Sequence, residues 1–484
     1  MNPPVRTRFA PSPTGYMHLG NLRTALYAYL IAKSQRGTFI LRIEDTDQER
    51  YVEGAVEAIY QTLSLCGLQH DEGPDIGGPY GPYVQSQRKE IYRARAEELV
   101  ERGGAYYCFC PKERLERRRA EAEARGEVFR YDGHCRSLPQ DEARRRAADG
   151  QPHVVRQRIP QEGSTRVDDL VFGSYTYENS QLEDGVLLKS DGLPTYNFAN
   201  VVDDHLMRIT HVVRGSEYLS SAPKYNLLYQ AFGWEIPHYI HLPLIMKSHG
   251  RKLSKRQGDP SFEDLLQQGF LKEAILNYIL LLGWNPKDGR EFFTLPEMVE
   301  HFHLQGLSRS PAIFDLEKLK WMNGEYIRKL DVESFLAIAE PYIRQAIKRR
   351  DIDLRKIAAL VQPRTVVLSD IPARIDFIEA LPDYDKSLFV NKKAKTDLAN
   401  SLEYLKLCKE TLSNIKAWEH KTIKQSLFEV IESKGLKPNT FLTPLRIALS
   451  GREVTPGGAT ELTDMLGREE TLKRIEMGIN KLTA

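Results

Sequence analysis

The chain has 484 residues, 41% hydrophobic and 28% charged, which is long enough for three or more domains and ordinary for a globular protein with sizeable cores. A formal net charge of +2 is too small to draw in a nucleic acid through the overall field, so any RNA contact must rest on local basic faces. No apolar run is long enough to span a bilayer, and Met1-Asn-Pro-Pro leads directly into the first strand, so no signal or transit segment is expected. Val5 to Ala10 alternates apolar and polar residues as a short strand does. Pro11 and Pro13 break the ladder, Thr14-Gly15 turns, and apolar residues at 19, 22, 26 and 30 set a helix starting near His18. The unpaired N–H groups at that helix start suit an anion. His18 adds a donor there, and Gly20 has no side chain to block a flat ring or a phosphate.

Gly37 to Glu44 reads as a second strand ending in the acidic cluster Glu44-Asp45-Thr46-Asp47. Helices follow over Tyr51–Gly67 and Ser86–Arg102, and Ala105–Cys110 reads as a third strand of the same sheet. Alternating strands and helices of this kind make half of a doubly wound sheet, with ligand expected at the carboxyl ends of its strands. Glu44 sits at such an end. Its carboxylate suits a substrate ammonium or a metal, or else caps the next helix.

Composition then shifts. Cys108, Cys110 and Cys135 are three of the five cysteines, crowded into 28 residues around an arginine-rich helix. This is no secreted disulfide framework, and a reducing cytoplasm fits it best. The cluster points to a thiolate zinc site, although C-x-C is tighter than the usual spacing; three buried thiols are the alternative. Arg117–Arg119 and Arg144–Arg146 are solvated helix faces or phosphate contacts. Val154–Ile159, Ser164–Val167 and Leu170–Tyr177 are strand-rich, and Val186–Lys189 returns to the sheet. Tyr196 and Asn200 share one helix face, and Ile209–Val213 is a strand ending in Arg214, with Tyr218 in the next turn. An arginine, a tyrosine and an asparagine so placed can clamp a carboxylate. Tyr239–Met246 reads as the last sheet strand and delivers Lys252-Leu-Ser-Lys-Arg256, a basic loop between Gly250 and Gly258. A mobile lysine pair suits a triphosphate whose charge shifts as pyrophosphate leaves.

Five of these stretches carry a resemblance. His18-Leu-Gly-Asn21 and Lys252-Leu-Ser-Lys-Arg256 resemble the HIGH and KMSKS signatures of class I aminoacyl-tRNA synthetases. Arg8-Phe-Ala-Pro-Ser-Pro-Thr-Gly15, Arg42-Ile-Glu-Asp-Thr-Asp47 and Tyr196-Asn-Phe-Ala-Asn-Val-Val-Asp-Asp-His205 are similar to the glutamyl-tRNA synthetases in particular. The resemblance covers residues 5 to about 330 and continues more faintly to the end. It implies attachment of L-glutamate to its tRNA through a glutamyl adenylate, with ATP as substrate and Mg²⁺ as its companion ion. By motif position it implies catalytic roles for His18, Lys252 and Lys255, and an ATP site of Thr14, His18, Gly20, Asn21, Lys252, Ser254 and Lys255. It implies a glutamate site of Arg8, Ala10, Ser12, Glu44, Tyr196, Asn200, Arg214 and Tyr218, with Glu44 on the ammonium. In zinc-bearing relatives Cys108, Cys110 and Cys135 match ligands. Tyr131 is the favoured fourth ligand, with His134 in reserve, because Ser137 stands where some relatives have histidine.

The expected fold is therefore α/β: a doubly wound, Rossmann-type parallel sheet with an inserted α+β module and an all-helical C-terminal region. Catalytic halves are expected over 1–110 and 189–260, with an acceptor-end module carrying the zinc site over 111–188. A helical connector meeting the inner tRNA stem is expected over 261–330, including Asp315–Gly324, and anticodon-reading helices over 331–484. Apolar stripes at Leu402, Leu405, Leu412 and Ile415 and at Leu427, Phe428 and Ile431 suit a helix-bundle core. An all-helical end argues against the glutaminyl enzymes, whose anticodon module is a β-barrel. A monomer is expected. Two rival readings are a truncated paralogue that glutamylates a modified tRNA nucleoside and a catalytically dead synthetase-like protein. The helical tail argues against the first, and intact His18, Glu44, Arg214 and Lys255 against the second.

Overall fold

The computed structural model describes residues 4–15, 17–248, 251–253 and 260–483. It divides into two compact units, one of Met1–Leu265 with Ile275–Asp315, the other of Leu266–Ala274 with Leu316–Ala484. The segment expected as a connector, 261–330, contributes to both.

In the first unit, β1 (Arg6–Phe9) and β2 (Thr38–Leu41) run parallel in the register Arg6↔Thr38 to Phe9↔Leu41, joined through α1 (Leu19–Ser34). The chain then forms α2 (Ala55–Leu65), α3 (Lys89–Glu101), β3 (Ala105–Cys108), α4 (Lys112–Ala124), α5 (Gln140–Ala148) and β4 (Val154–Gln157). The hairpin β5 (Ser164–Asp169) and β6 (Gly173–Glu178) follows, then β7 (Val186–Leu188), α6 (Tyr196–Leu206) and β8 (His211–Gly215). α7 (Ala222–Phe232) and β9 (His238–Leu242) complete the sheet, whose order is β2-β1-β8-β9-β5-β6. All neighbours are parallel except β5 and β6. α1 packs on β1 and β8, whereas α3, α6 and α7 share another core with Ile40, Val167, Val212 and Tyr239. Helices therefore cover both faces, as a doubly wound sheet requires.

Three strand expectations are corrected. β3 does not join the main sheet; it pairs antiparallel with β4, which pairs with β7, in a separate three-stranded sheet, so Val186–Lys189 does not return to the main sheet either. The β5–β6 hairpin instead completes the main sheet at its edge. In β5, Thr165, Val167 and Asp169 are buried while Ser164, Arg166 and Asp168 face out. That two-residue period fits a strand with one covered face, and β6 beyond it is the edge. The run Tyr239–Met246 is two strands, because Pro243 offers no N–H to extend the ladder. β10 (Ile245–Ser248) pairs instead with β11 (Arg251–Lys252) and β12 (Ala312–Ile313). Between β11 and β12 in the chain come α8 (Phe262–Gln267), α9 (Lys272–Leu281) and α10 (Leu295–His301), the last opened by a Thr294–Glu297 capping box and packed on α1.

From Leu316 every labelled element is a helix: α11 (Leu316–Lys329), α12 (Val332–Ala346), α13 (Leu354–Val361), α14 (Ile371–Glu379), α15 (Leu398–Ser413), α16 (His420–Ser433), α17 (Pro438–Ser450) and α18 (Ala459–Thr483). α18 is kinked at Gly467, whose φ of 76° only glycine adopts cheaply. One continuous core holds these helices, and the stripes at Leu405, Leu412 and Ile415 and at Leu427 and Ile431 lie inside it. No helix among the described residues is long and apolar enough to cross a membrane.

Candidate active site

A cleft of about 910 Å³ opens at the carboxyl ends of the parallel strands, over β1 and its neighbours β2 and β8. Arg8, Ala10, Ser12, Thr14, His18, Gly20, Asn21, Glu44, Tyr196, Arg214 and Tyr218 all line it. Asn200 does not. It lies one turn deeper and spends its side-chain amide on the Tyr196 carbonyl at 2.7 Å, so it supports Tyr196 rather than facing the cleft. Lys252 is described for its backbone alone, at the end of β11, and Ser254 and Lys255 lie outside the described residues.

His18 is the N-cap of α1. Its Nδ1 accepts from the Asn21 backbone N–H at 3.2 Å, so at the helix start it is an acceptor as well as the expected donor. A neutral imidazole accepting at Nδ1 carries its proton on Nε2, the form that donates to a phosphate. A Cβ on Gly20 would meet the His18 ring at 3.1 Å. Glycine there keeps the imidazole in its capping pose, a role beyond leaving room for ligand.

Beneath the cleft lies a buried ionic cluster that sequence reasoning does not find. The Arg8 guanidinium donates to both oxygens of Asp204, at 2.9 and 3.2 Å, and to the Val213 carbonyl at 3.1 Å. Arg42 donates to Asp204 at 2.8 Å and to Glu44 Oε1 at 2.9 Å. Arg88 donates to Asp203 at 2.7 Å, with Gln85 and Tyr92 on the same carboxylate. Three guanidiniums thus balance three carboxylates, and each charge is matched, as a dry interior demands. Burial would raise Asp204, but Arg8 and Arg42 outweigh it and hold this carboxyl below its ordinary value. Glu44 goes the other way: burial raises it despite Arg42 and Arg8. The only sequence sign of the cluster is Asp203-Asp204 directly after the apolar pair Val201-Val202.

Arg214, at the end of β8, is different. It is buried, pairs with no carboxylate among the described residues, and leaves Nη2 without a partner. The rings of Tyr218, Tyr225 and Tyr239 surround it at 5.4, 4.5 and 5.2 Å. Burial opposes its charge, yet Tyr225, Tyr196, Tyr239 and the more distant Asp204 carboxylate tip it to a raised value, so it is cationic.

Away from the cleft, the sulfurs of Cys108, Cys110 and Cys135 lie within 4.8 Å of one another. The Tyr131 hydroxyl is 3.3 Å from Cys108 Sγ and 3.5 Å from Cys110 Sγ, whereas His134 is exposed beside the group. Metal–sulfur bonds of about 2.3 Å set tetrahedral sulfurs about 3.8 Å apart. The Cys110–Cys135 separation of 3.6 Å fits that, so the residues present suit zinc.

A parallel sheet with a phosphate-ready helix start, a cleft at the carboxyl ends of its strands and a separate helical unit is the architecture of a class I aminoacyl-tRNA synthetase. The catalytic-domain family described as tRNA synthetases class I (E and Q) matches residues 4–321, and the family described as anticodon binding domain matches residues 334–479. The chain is 56% identical to the glutamate–tRNA ligase of Clostridium botulinum (strain Loch Maree) over 480 residues, 99% of each chain. It is 57% identical to that of Clostridium tetani over 478 residues, covering 99% of this chain and 98% of the relative. A crystal structure of a glutamate tRNA ligase from Elizabethkingia meningosepticum, in complex with its amino acid, superposes with a TM-score of 0.90 at 36% identity, covering 99% of this chain and 100% of that one. The chain belongs to the glutamate–tRNA ligase family.

Proposed function

We propose that this enzyme attaches L-glutamate to the 3′ end of its tRNA in two steps at the cleft, with the site residues divided as follows. Glu44 takes the substrate ammonium through the carboxylate oxygen that Arg42 does not occupy. Arg214 takes the side-chain carboxylate, and Arg8, Ala10, Ser12, Tyr196 and Tyr218 orient the substrate. ATP lies over the start of α1, its phosphates met by His18, the nearby Thr14, Gly20 and Asn21, and the Lys252–Lys255 loop including Ser254. The glutamate α-carboxylate attacks the α-phosphorus in line; the bond to the bridging oxygen breaks and pyrophosphate leaves. The terminal ribose hydroxyl of tRNA then attacks the adenylate carbonyl, its proton is lost, and AMP departs. Neither step needs a protein nucleophile; positioning and charge stabilisation carry both. Bound Mg²⁺ would add positive charge at the phosphates.

The observation that carries this reading is the unpaired, buried Nη2 of Arg214 in the cleft. Glutamate and glutamine have the same shape, so a fixed cation is what separates them. Zinc held by Cys108, Cys110, Cys135 and Tyr131 is structural, because a closed four-ligand site leaves no open position. The partner is the tRNA for glutamate, read at its anticodon by the helical region 331–484. The enzyme works in the cytoplasm as a monomer. Charging purified total tRNA with labelled glutamate, then identifying the charged species, tests the reading. Charging of glutamate tRNA is expected; no charged tRNA from active, ATP-binding protein would overturn it.

A further inference from the structure

Arg214 is held from behind by a chain of side chains that crosses three adjacent strands. Its Nε–H donates to His241 Nε2 at 3.1 Å, and the two residues are direct neighbours in the β8–β9 register. His241 Nδ1 lies 2.7 Å from Asp169 Oδ2, at the end of β5. The side chains of His241 and Asp169 are fully buried. Asp169 Oδ2 also accepts the His241 backbone N–H at 3.0 Å, and Oδ1 accepts those of Val171 and Phe172 at 2.9 and 2.7 Å. Four donors on one carboxylate leave it ionised, and burial would raise it but for these bonds. Burial also lowers His241 below the ordinary histidine value, so the ring is neutral. Its one proton faces Asp169, so Nε2 is a bare acceptor, the only form that can take the Arg214 N–H.

Two arginines of the cleft floor show why this matters. Arg8 and Arg42 are fixed by carboxylates, which orient them and cancel their charge in the same contact. Arg214 is fixed by an uncharged acceptor. We propose that His241, locked by Asp169, is a positioning residue that sets the plane of the Arg214 guanidinium without neutralising it, reserving that charge for the substrate side-chain carboxylate and so setting the preference for glutamate over glutamine. This rests on the assignment of the cleft as the glutamate site. His241 itself is fully buried and does not line the cleft.

Charge at position 241, rather than the mere presence of a side chain, is the discriminating variable. Glutamate- and glutamine-dependent pyrophosphate exchange, with tRNA present, is to be measured for wild type, His241→Gln, His241→Glu, His241→Met and Arg214→Ala. His241→Gln keeps a neutral acceptor at similar reach, and the glutamate-to-glutamine ratio of kcat/KM should stay within about 3-fold of wild type. His241→Glu has the same reach but places an anion against Arg214. The KM for glutamate should rise about 10²-fold, kcat should change far less, and the ratio should fall by about 10²-fold. His241→Met removes the acceptor without adding charge and covers the case in which His241→Glu does not fold. Its KM should rise about 10-fold with active-site concentration unchanged, a loss that His241→Gln does not share. The inference is overturned if folded His241→Glu keeps its ratio, or if His241→Met and His241→Gln behave alike. If Arg214→Ala itself keeps wild-type discrimination, the glutamate-site assignment fails instead; if Arg214→Ala loses it while the His241 variants do not, this inference alone fails.

Discussion

Asp204 takes hydrogen bonds from Arg8 and Arg42, residues near the ends of the first two strands, and so ties the floor of the cleft to α6. Removing one partner of a buried ion pair leaves an uncompensated charge and costs about 3–5 kcal/mol. Asp204→Asn should therefore lower the unfolding free energy by about that amount, read from denaturant midpoints; a loss under about 1 kcal/mol would show the network to be dispensable. The two acids of the floor also part company with pH. Asp204 is held low, so its contribution to stability is present at neutral pH and lost only as pH falls through its depressed value. Glu44 is raised, so it takes up its proton first, while Asp204 is still ionised. The KM for glutamate should therefore climb at a higher pH than that at which tertiary structure is lost. Glu44→Gln should weaken glutamate binding and remove this dependence; coincident profiles for binding and unfolding would refute the order. These roles are only half legible in the sequence. Residues that line the cleft, such as His18, Glu44 and Arg214, sit at strand and helix ends and announce themselves by position. Residues that hold them, such as Asp204 and His241, lie inside regular elements, with partners 196 and 72 residues distant. No local pattern reports such a pairing.

At the level of elements, periodicity encodes which stretches are strands and helices but not which strand pairs with which. β3 has the aromatic composition of a sheet strand, but its partner β4 begins 49 residues after β3 starts, and nothing in either sequence names the other. β10 leaves the main sheet because Pro243 ends β9, and β11, which pairs with β10, ends at Lys252. Lys255→Ala should lower kcat for adenylate formation by about 10²–10³ with little change in the KM for glutamate, since the contact strengthens as pyrophosphate departs. Pyrophosphate exchange within a few-fold of wild type would remove Lys255 from the site. The cysteine cluster joins the end of β3 to the segment after α4. Freshly purified protein should carry about one zinc, and Cys110→Ser should lose it and loosen the β3–β4–β7 sheet while the main sheet stays folded. Elemental analysis that finds no metal in the wild type would make these three residues ordinary buried thiols.

At the scale of the whole molecule, the two compact units are not separated by a single point in the chain. The short segment Leu266–Ala274 belongs with the C-terminal unit although 41 residues of the first unit, Ile275–Asp315, come after it. Its attachments are specific. The Leu271 N–H donates to the Asn323 side chain at 2.8 Å, and the Leu368 N–H donates to the Gly269 carbonyl at 3.1 Å. Leu271 packs against the helical core, and Gly269, at φ +86°, comes so near that a Cβ there would stand 2.8 Å from the Leu368 side chain and the Ser369 nitrogen. A chain ending at Asp315 would keep this segment and lose Asn323, Leu368 and the helical core, exposing Leu271 and leaving the Leu271 N–H and the Gly269 carbonyl without these partners. Such a fragment should aggregate at lower temperature than the full-length protein, measured by light scattering during a thermal ramp. Leu271→Lys within the fragment should recover part of the lost solubility, because a charge there breaks the newly exposed apolar patch. The same substitution in the full chain should destabilise the helical unit, since it sets a charge against the apolar core that Leu271 packs on. A fragment as soluble as the full-length protein would show that the segment folds equally well with the catalytic unit alone.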